Sequence, residues 1–245
     1  MRVYDERPLG EETPMTFQVG FVGNDGVLLA SDRRIVMMGR VRASSLADKI
    51  FIEGNDLAYC CAGGDLASVM RQPIIDAVRT ASADFRSDLI QRCQMKILEL
   101  LEGCPLNEVL RQKGVILFAR RLDGRVELWR ILLGTLGTSV IPEHIENKIV
   151  QGDELSSASL FVERYFPVCP CPIRTLIPLA AHTIVTAEWL NPDAVGGLEI
   201  VLCSHAGFEK LPNDQIEELA QSVHGREAWI AKALGLSEEL GIVQT

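Results

Sequence analysis

The chain has 245 residues and a mass of 27.0 kDa, enough for one domain with a full apolar core or for two small ones. Hydrophobic residues make up 47% and charged residues 23%, which excludes a disordered or fibrous chain. The net charge of -9, from 24 basic and 33 acidic side chains, opposes binding to a phosphate polymer, and no basic patch offsets it. Nucleic acid is therefore not an expected partner. The most apolar stretch, Ile173 to Leu190, carries Arg174, His182 and Glu188 and makes a poor membrane span, so no membrane is expected either. The opening residues are acidic and mixed rather than basic and then apolar, which is not a secretory pattern. The seven cysteines are accordingly expected as reduced thiols in the cytoplasm.

Met1 to Pro14 is polar and holds Pro8, Gly10 and Pro14. It reads as a loose leader, residues 1–15 with Met15, ahead of a single domain over 16–245. Two β-branched and apolar runs, Thr16 to Val22 and Val27 to Asp32, flank Gly23-Asn24-Asp25-Gly26, a hairpin signal. A three-residue loop would set Gly23 opposite Val27, Thr16 opposite Arg34 and Gln18 opposite Asp32. Thr16, Asp32 and Arg34 would then share one side of the sheet, whereas a shift of parity would turn Asp32 away from Thr16. A second hairpin is predicted from Lys49-Ile50-Phe51-Ile52, a turn at Glu53 to Asp56, and Leu57 to Ala62, ending at Gly63-Gly64.

Helical spacing follows. Asp65 can cap a helix carrying Leu66, Met70, Ile74 and Val78, with Pro73 a candidate kink. Leu89, Cys93, Ile97, Leu100 and Leu101 recur at helical intervals up to Gly103. A third hairpin joins Gly114 to Ala119 with Val126 to Ile131 through Leu122-Asp123-Gly124-Arg125. Helices are predicted over Glu154 to Tyr165 and Thr175 to Leu190, a strand over Gly197 to Cys203, and a terminal helical region from Asn213 to Leu234 interrupted near Gly225. Blocks of strands and helices in this order predict two packed antiparallel sheets with helices outside, an α+β fold.

Three residues can carry chemistry: Thr16 at the head of the first strand, Asp32 after the second and Lys49 before the third. A threonine hydroxyl is a weak nucleophile and needs a nearby base. An N-terminal threonine carries one in its own α-amine, with an ordinary pKa of about 7.7–8.0. A lysine cation beside it favours the neutral, proton-accepting amine, and a carboxylate keeps that lysine charged and in place. Gly63 and Gly64, where a strand leads into a helix, can offer backbone N–H groups to an oxyanion.

Thr16, the turn at Asp25-Gly26, Ala30-Ser31-Asp32-Arg33-Arg34, Asp48-Lys49-Ile50 and Ala62-Gly63-Gly64-Asp65 resemble the proteasome β-subunit family, which includes Anbu-type bacterial relatives. The resemblance implies a four-layer αββα sandwich, the N-terminal-nucleophile hydrolase fold. It implies Thr16 as nucleophile, Lys49 and Asp32 as its activating pair, and Gly63 as oxyanion-hole amide. Arg34 would be an ion-pair partner near Asp32, with Val36, Ala47 and Cys61 lining the substrate pocket; the family's two supporting hydroxyls are absent here, with Asp153 or Asn191 as the candidates to stand in for them. A homo-oligomeric ring acting on proteins or peptides follows from the same resemblance, with an ATP-dependent unfoldase as partner for folded substrates and no metal or organic cofactor. Where the family has Gly-Ser-Gly this chain has Gly152-Asp153-Glu154, and where it often has Ser-Gly-Gly this chain has Val195-Gly196-Gly197.

As numbered, Thr16 is internal, and an amide nitrogen is no base. Translation from Met15 followed by methionine removal would free it, as would cleavage between Met15 and Thr16. The alternatives are a catalytically silent ring or scaffold subunit, and an N-terminal-nucleophile amidase or peptide ligase for a small substrate. Elsewhere the bland reading prevails: Cys60 and Cys61 point to opposite strand faces, Cys169-Pro170-Cys171 lacks further ligands, and the four histidines are scattered.

Overall fold

The computed structural model describes residues 16–37, 43–63, 69–79, 85–103, 114–134, 139–152 and 157–233. One five-stranded sheet has the order β10-β1-β2-β11-β12, formed by β1 (Gln18–Val22), β2 (Gly26–Ser31), β10 (Lys148–Gln151), β11 (Glu199–Ser204) and β12 (Gly207–Lys210). The other follows chain order through β5 (Ile50–Glu53), β6 (Leu57–Gly63), β7 (Gly114–Leu122), β8 (Arg125–Leu133) and β9 (Val140–Ile145). A separate ribbon pairs β3 (Arg34–Met37) with β4 (Ala43–Leu46). All pairings are antiparallel. The fold is α+β, and the ribbon, β9, β10 and β12 are additions to the predicted strands.

Alternation along the strands divides the core. Val27 and Leu29 of β2 and Val201 and Cys203 of β11 pack against Ala58, Cys60, Leu117, Ala119 and Leu128 of the second sheet. Their neighbours Leu28, Ala30, Ile200 and Leu202 pack instead on α3 (Ser157–Tyr165), α4 (Ile173–Leu190) and α5 (Asn213–Ala233). The opposite face of the second sheet, with Tyr59, Ile116, Phe118 and Trp129, is covered by α1 (Arg71–Arg79) and α2 (Phe85–Gly103). No helix among the described residues is long and apolar enough to cross a membrane.

The helices differ from expectation at their ends. Helical bonding is interrupted by a turn at Met70 and resumes at Arg71; Pro73 has no N–H to return to the Val69 carbonyl. Helix α4 begins two residues early because Asp25 Oδ1, from the first hairpin loop, accepts the Ile173 N–H at 2.8 Å. Helix α5 runs through Gly225 without the predicted interruption. An exposed glycine lowers helix propensity by about 1 kcal/mol, too little to break a helix anchored by Val223 in the core.

The register of the first hairpin is corrected by one residue. Val22 lies opposite Val27 and Gln18 opposite Ser31, with Gly23 N–H closing the turn on the Gly26 carbonyl at 2.9 Å. The loop is therefore the two residues Asn24 and Asp25, the other parity, and Gly26 has joined β2. Packing against β11 demands glycine there: a Cβ on Gly26 would stand 2.1 Å from the Cys203 carbonyl oxygen.

Candidate active site

In the observed register, simple alternation would part Asp32 from Thr16. The ladder ends at Gln18 and Ser31, however, and Asp32 turns its carboxylate back on the backbone. Its Oδ1 accepts the Phe17 N–H at 2.8 Å and its Oδ2 the Arg34 N–H at 2.9 Å, while Asp32 N–H donates to the Phe17 carbonyl at 3.0 Å. The same Oδ2 accepts from Lys49 Nζ at 2.8 Å, and Lys49 Nζ also reaches Thr16 Oγ1 at 3.3 Å. Thr16, Asp32 and Lys49 are all buried. The lysine bridges the other two, and no strand register was needed to bring them together.

Burial sets the electrostatics of this pair. Loss of water raises the Asp32 carboxyl above its ordinary value, against the opposing pull of Lys49 and the two backbone N–H groups. Burial likewise lowers the Lys49 ammonium, against the nearby Asp32, Cys60 and Glu199. The lysine releases its proton more readily than an exposed one would. Cys60, in the layer between the sheets, is pushed well above the usual thiol range by burial. It stays a thiol at neutral pH and does not compete as nucleophile.

The remaining predicted residues distribute unevenly. Arg34 gives Asp32 its backbone N–H, and the ion pair of Asp32 is made by Lys49. The Arg34 side chain lies against Gly196, where a Cβ would come within 2.5 Å of Nε. Among the described residues the Arg34 guanidinium packs beside Gly196, whose carbonyl accepts the Arg33 N–H at 2.8 Å. Ala47 is half-buried, its N–H bonded to the Arg33 carbonyl at 2.8 Å, and Val36 pairs with Ser44 in the ribbon. Cys61 is half-buried and packs on the core beneath α1 and α2, where burial pushes its thiol up to about 12. Gly63 closes β6 opposite Gly114. Asp153, Gly64, Asp65 and residues 1–15 lie outside the described residues.

Sequence reasoning missed Glu199. It opens β11 opposite Ser31, which in turn lies opposite Gln18, so Gln18, Ser31 and Glu199 form a polar row across three strands. Glu199 is 1% exposed. Its Oε2 accepts the N–H groups of Lys49 at 2.8 Å and Ile50 at 3.0 Å, and its Oε1 accepts from Lys210 Nζ. Lys210 Nζ also meets Asp48 Oδ2 at 2.7 Å, and Asp48 Oδ1 meets Arg33 Nη2 at 3.1 Å. The available signal was a lone glutamate in an apolar strand, Leu198-Glu199-Ile200-Val201-Leu202, since such a charge is seldom buried unpaired.

Among the described residues, no group of three or more His, Cys, Asp or Glu side chains is placed to hold a metal ion. The arrangement can do one thing well: it presents a buried cation, fixed by a carboxylate, to the hydroxyl of Thr16. No protein-family model matches the chain, and no curated protein sequence matches it. Among solved structures, the chain is similar to the Anbu (Gly-1) mutant from Hyphomicrobium sp. strain MC1, with a TM-score of 0.61 at 10% identity, over 90% of this chain and 99% of that one. The chain thus shares its fold with that Anbu structure.

Proposed function

We propose that this chain is a threonine-type endopeptidase of the proteasome-like family, with Thr16 as its N-terminal nucleophile once residues 1–15 are removed. The observation that carries this reading is a single buried ammonium, Lys49 Nζ, 2.8 Å from Asp32 Oδ2 and 3.3 Å from Thr16 Oγ1. With Thr16 internal, its nitrogen is an amide and has no lone pair to offer. With Thr16 terminal, the Lys49 cation favours the neutral amine. That amine takes the hydroxyl proton as Oγ1 attacks a peptide carbonyl, and the Gly63 N–H receives the oxyanion. The proton then passes to the leaving amine. A water, deprotonated by the same α-amine, hydrolyses the ester and restores Thr16.

In this reading the domain spans 16–245 with a four-layer αββα arrangement, and translation starts at Met15. Val36, Ala47 and Cys61 line the pocket for the residue before the cut bond, with Arg34 and Asp153 in support. The chain assembles into a homo-oligomeric ring in the cytoplasm, takes peptides unaided, and takes folded proteins from an ATP-dependent unfoldase.

The test compares three proteins on fluorogenic peptides: the chain beginning at Thr16, the full 245-residue chain, and Thr16→Ala in the shorter form. Cleavage by the first alone is the expected result. Equal cleavage by Thr16→Ala overturns the nucleophile. The replacement of the family's Ser-Gly-Gly by Val195-Gly196-Gly197 favours the silent ring subunit instead, and that reading is correct if all three proteins form rings and none cleaves.

A further inference from the structure

Lys49 is held at both ends. Its ammonium is anchored by Asp32, which follows β2, and its backbone N–H by Glu199, which opens the neighbouring strand β11. The two anchors come from one sheet, while Lys49 leads into β5 at the edge of the other. The edge position matters, because an edge strand leaves outward N–H groups without a ladder partner. Glu199 Oε2 takes the N–H of Ile50, the first residue of β5, and that of Lys49 just ahead of the strand. A carboxylate with 1% exposure must be well paired to persist, and Glu199 has those two N–H donors and the Lys210 ammonium. Lys210 in turn ties Asp48, the residue before Lys49, to the same point.

We infer that Glu199, with Lys210 as its counter-ion, is a positioning residue that fixes the 48–50 segment so that the Lys49 ammonium lies between Asp32 and Thr16. The inference rests on the proposed reading in which Lys49 serves Thr16, and it adds a residue that acts through the lysine rather than on substrate. The charged and titratable groups facing Lys49 are Asp32, Glu199 and Cys60, with Lys210, Asp48 and Arg33 one contact further out.

The test uses the chain beginning at Thr16 and the variants Glu199→Ala, Glu199→Gln and Glu199→Asp. Peptide cleavage gives kcat and KM, and the Lys49 13Cε resonance gives the lysine titration. Removing both acceptors in Glu199→Ala is expected to lower kcat on the order of 100-fold, the scale of a 1 Å misplacement, with KM nearly unchanged. Glutamine keeps a carbonyl oxygen for the two N–H groups and recovers most of kcat, while the shorter aspartate falls between. Glu199→Asp replaces Glu199→Ala if the latter does not fold.

The titration separates positioning from a plain charge effect. Loss of a nearby negative charge alone lowers the lysine in both Ala and Gln variants. Loss of position frees the side chain to water and raises it in Ala only. Equal kcat in Glu199→Ala and the parent, or equal downward shifts in both variants, overturns the inference. If the parent itself cleaves no peptide, the function proposed above fails, and the opposite-signed Lys49 shifts still decide the role of Glu199.

Discussion

Two hairpins built from similar residues behave differently. The β7–β8 hairpin turns at Asp123-Gly124, both with positive φ (50° and 75°), and its ladder runs unbroken from Leu122–Arg125 to Gly114–Leu133. That is the turn a right-twisted two-stranded ribbon prefers, and the dipeptide alone dictates it. The β1–β2 hairpin also carries Asp-Gly at its turn, but Asp25 is engaged by α4, and Gly26 is in β2, wedged against β11. Neighbours, not the turn dipeptide, set its register. A local signal controls geometry only where nothing outside the hairpin competes for the same residues.

The comparison breaks most visibly at the two aspartates. Asp32→Ala leaves the Phe17 and Arg34 N–H groups and the Lys49 ammonium without their acceptor. It is expected to cost about 3–5 kcal/mol in urea unfolding, the scale of breaking a buried pair. Asp123→Ala loses only a residue tolerant of positive φ and costs about 1 kcal/mol. Costs within 1 kcal/mol of each other would erase the distinction. The glycines come next. Gly26→Ala forces a Cβ into the Cys203 carbonyl and is expected to cost about 2–4 kcal/mol, against about 1 kcal/mol for Gly124→Ala, where nothing lies within 4 Å.

Asp25→Ala sharpens the same contrast at smaller scale. Removing the acceptor of the Ile173 N–H at the start of α4 should lower stability by about 1 kcal/mol, and amide exchange should quicken in the first turn of that helix. The smallest effect concerns acid. In the β7–β8 hairpin, burial would raise the Glu127 carboxyl, but bonds from Trp129 and Arg120 outweigh it and hold it below the ordinary value. Its contribution is therefore present above the unfolded carboxylate pKa and lost as pH falls through the lower folded value. Glu127→Gln should cost under about 1 kcal/mol at neutral pH and nothing in strong acid. Asp32 shifts the other way, because burial raises its folded pKa; the penalty of its ionised form is relieved as pH falls through that raised value. Parallel pH–stability curves for Glu127→Gln and its parent would contradict the assignment.

The sequence disclosed the long elements and both sheets' inner strands, since alternation and helical spacing are local properties of β-branched runs and of positions such as Leu89, Cys93 and Ile97. It concealed the β3–β4 ribbon and β9, β10 and β12, which are short, partly exposed, and in β9 interrupted by Pro142. Thr16, Asp32 and Lys49 could be singled out by residue type and spacing, but not for the correct geometric reason. The alternation argument joined Thr16 to Asp32 and Arg34 through one register, whereas the structure has the other parity, and Asp32 meets Lys49 and Thr16 beyond the last rung of the ladder. Glu199 was hidden because its partners are two backbone N–H groups some 150 residues away, and backbone donors leave no mark on a sequence.

The first rung of the β1–β2 ladder is Gln18 with Ser31, and Thr16 lies just upstream of it. Scission of the peptide bond ahead of Thr16 consequently dismantles no rung of the described sheet. The Phe17 amide that Asp32 grips survives such a cut as an ordinary amide. Cleavage at that bond would leave these pairings in place and add one titratable amine beside the buried Lys49, and mass spectrometry is the way to follow the conversion.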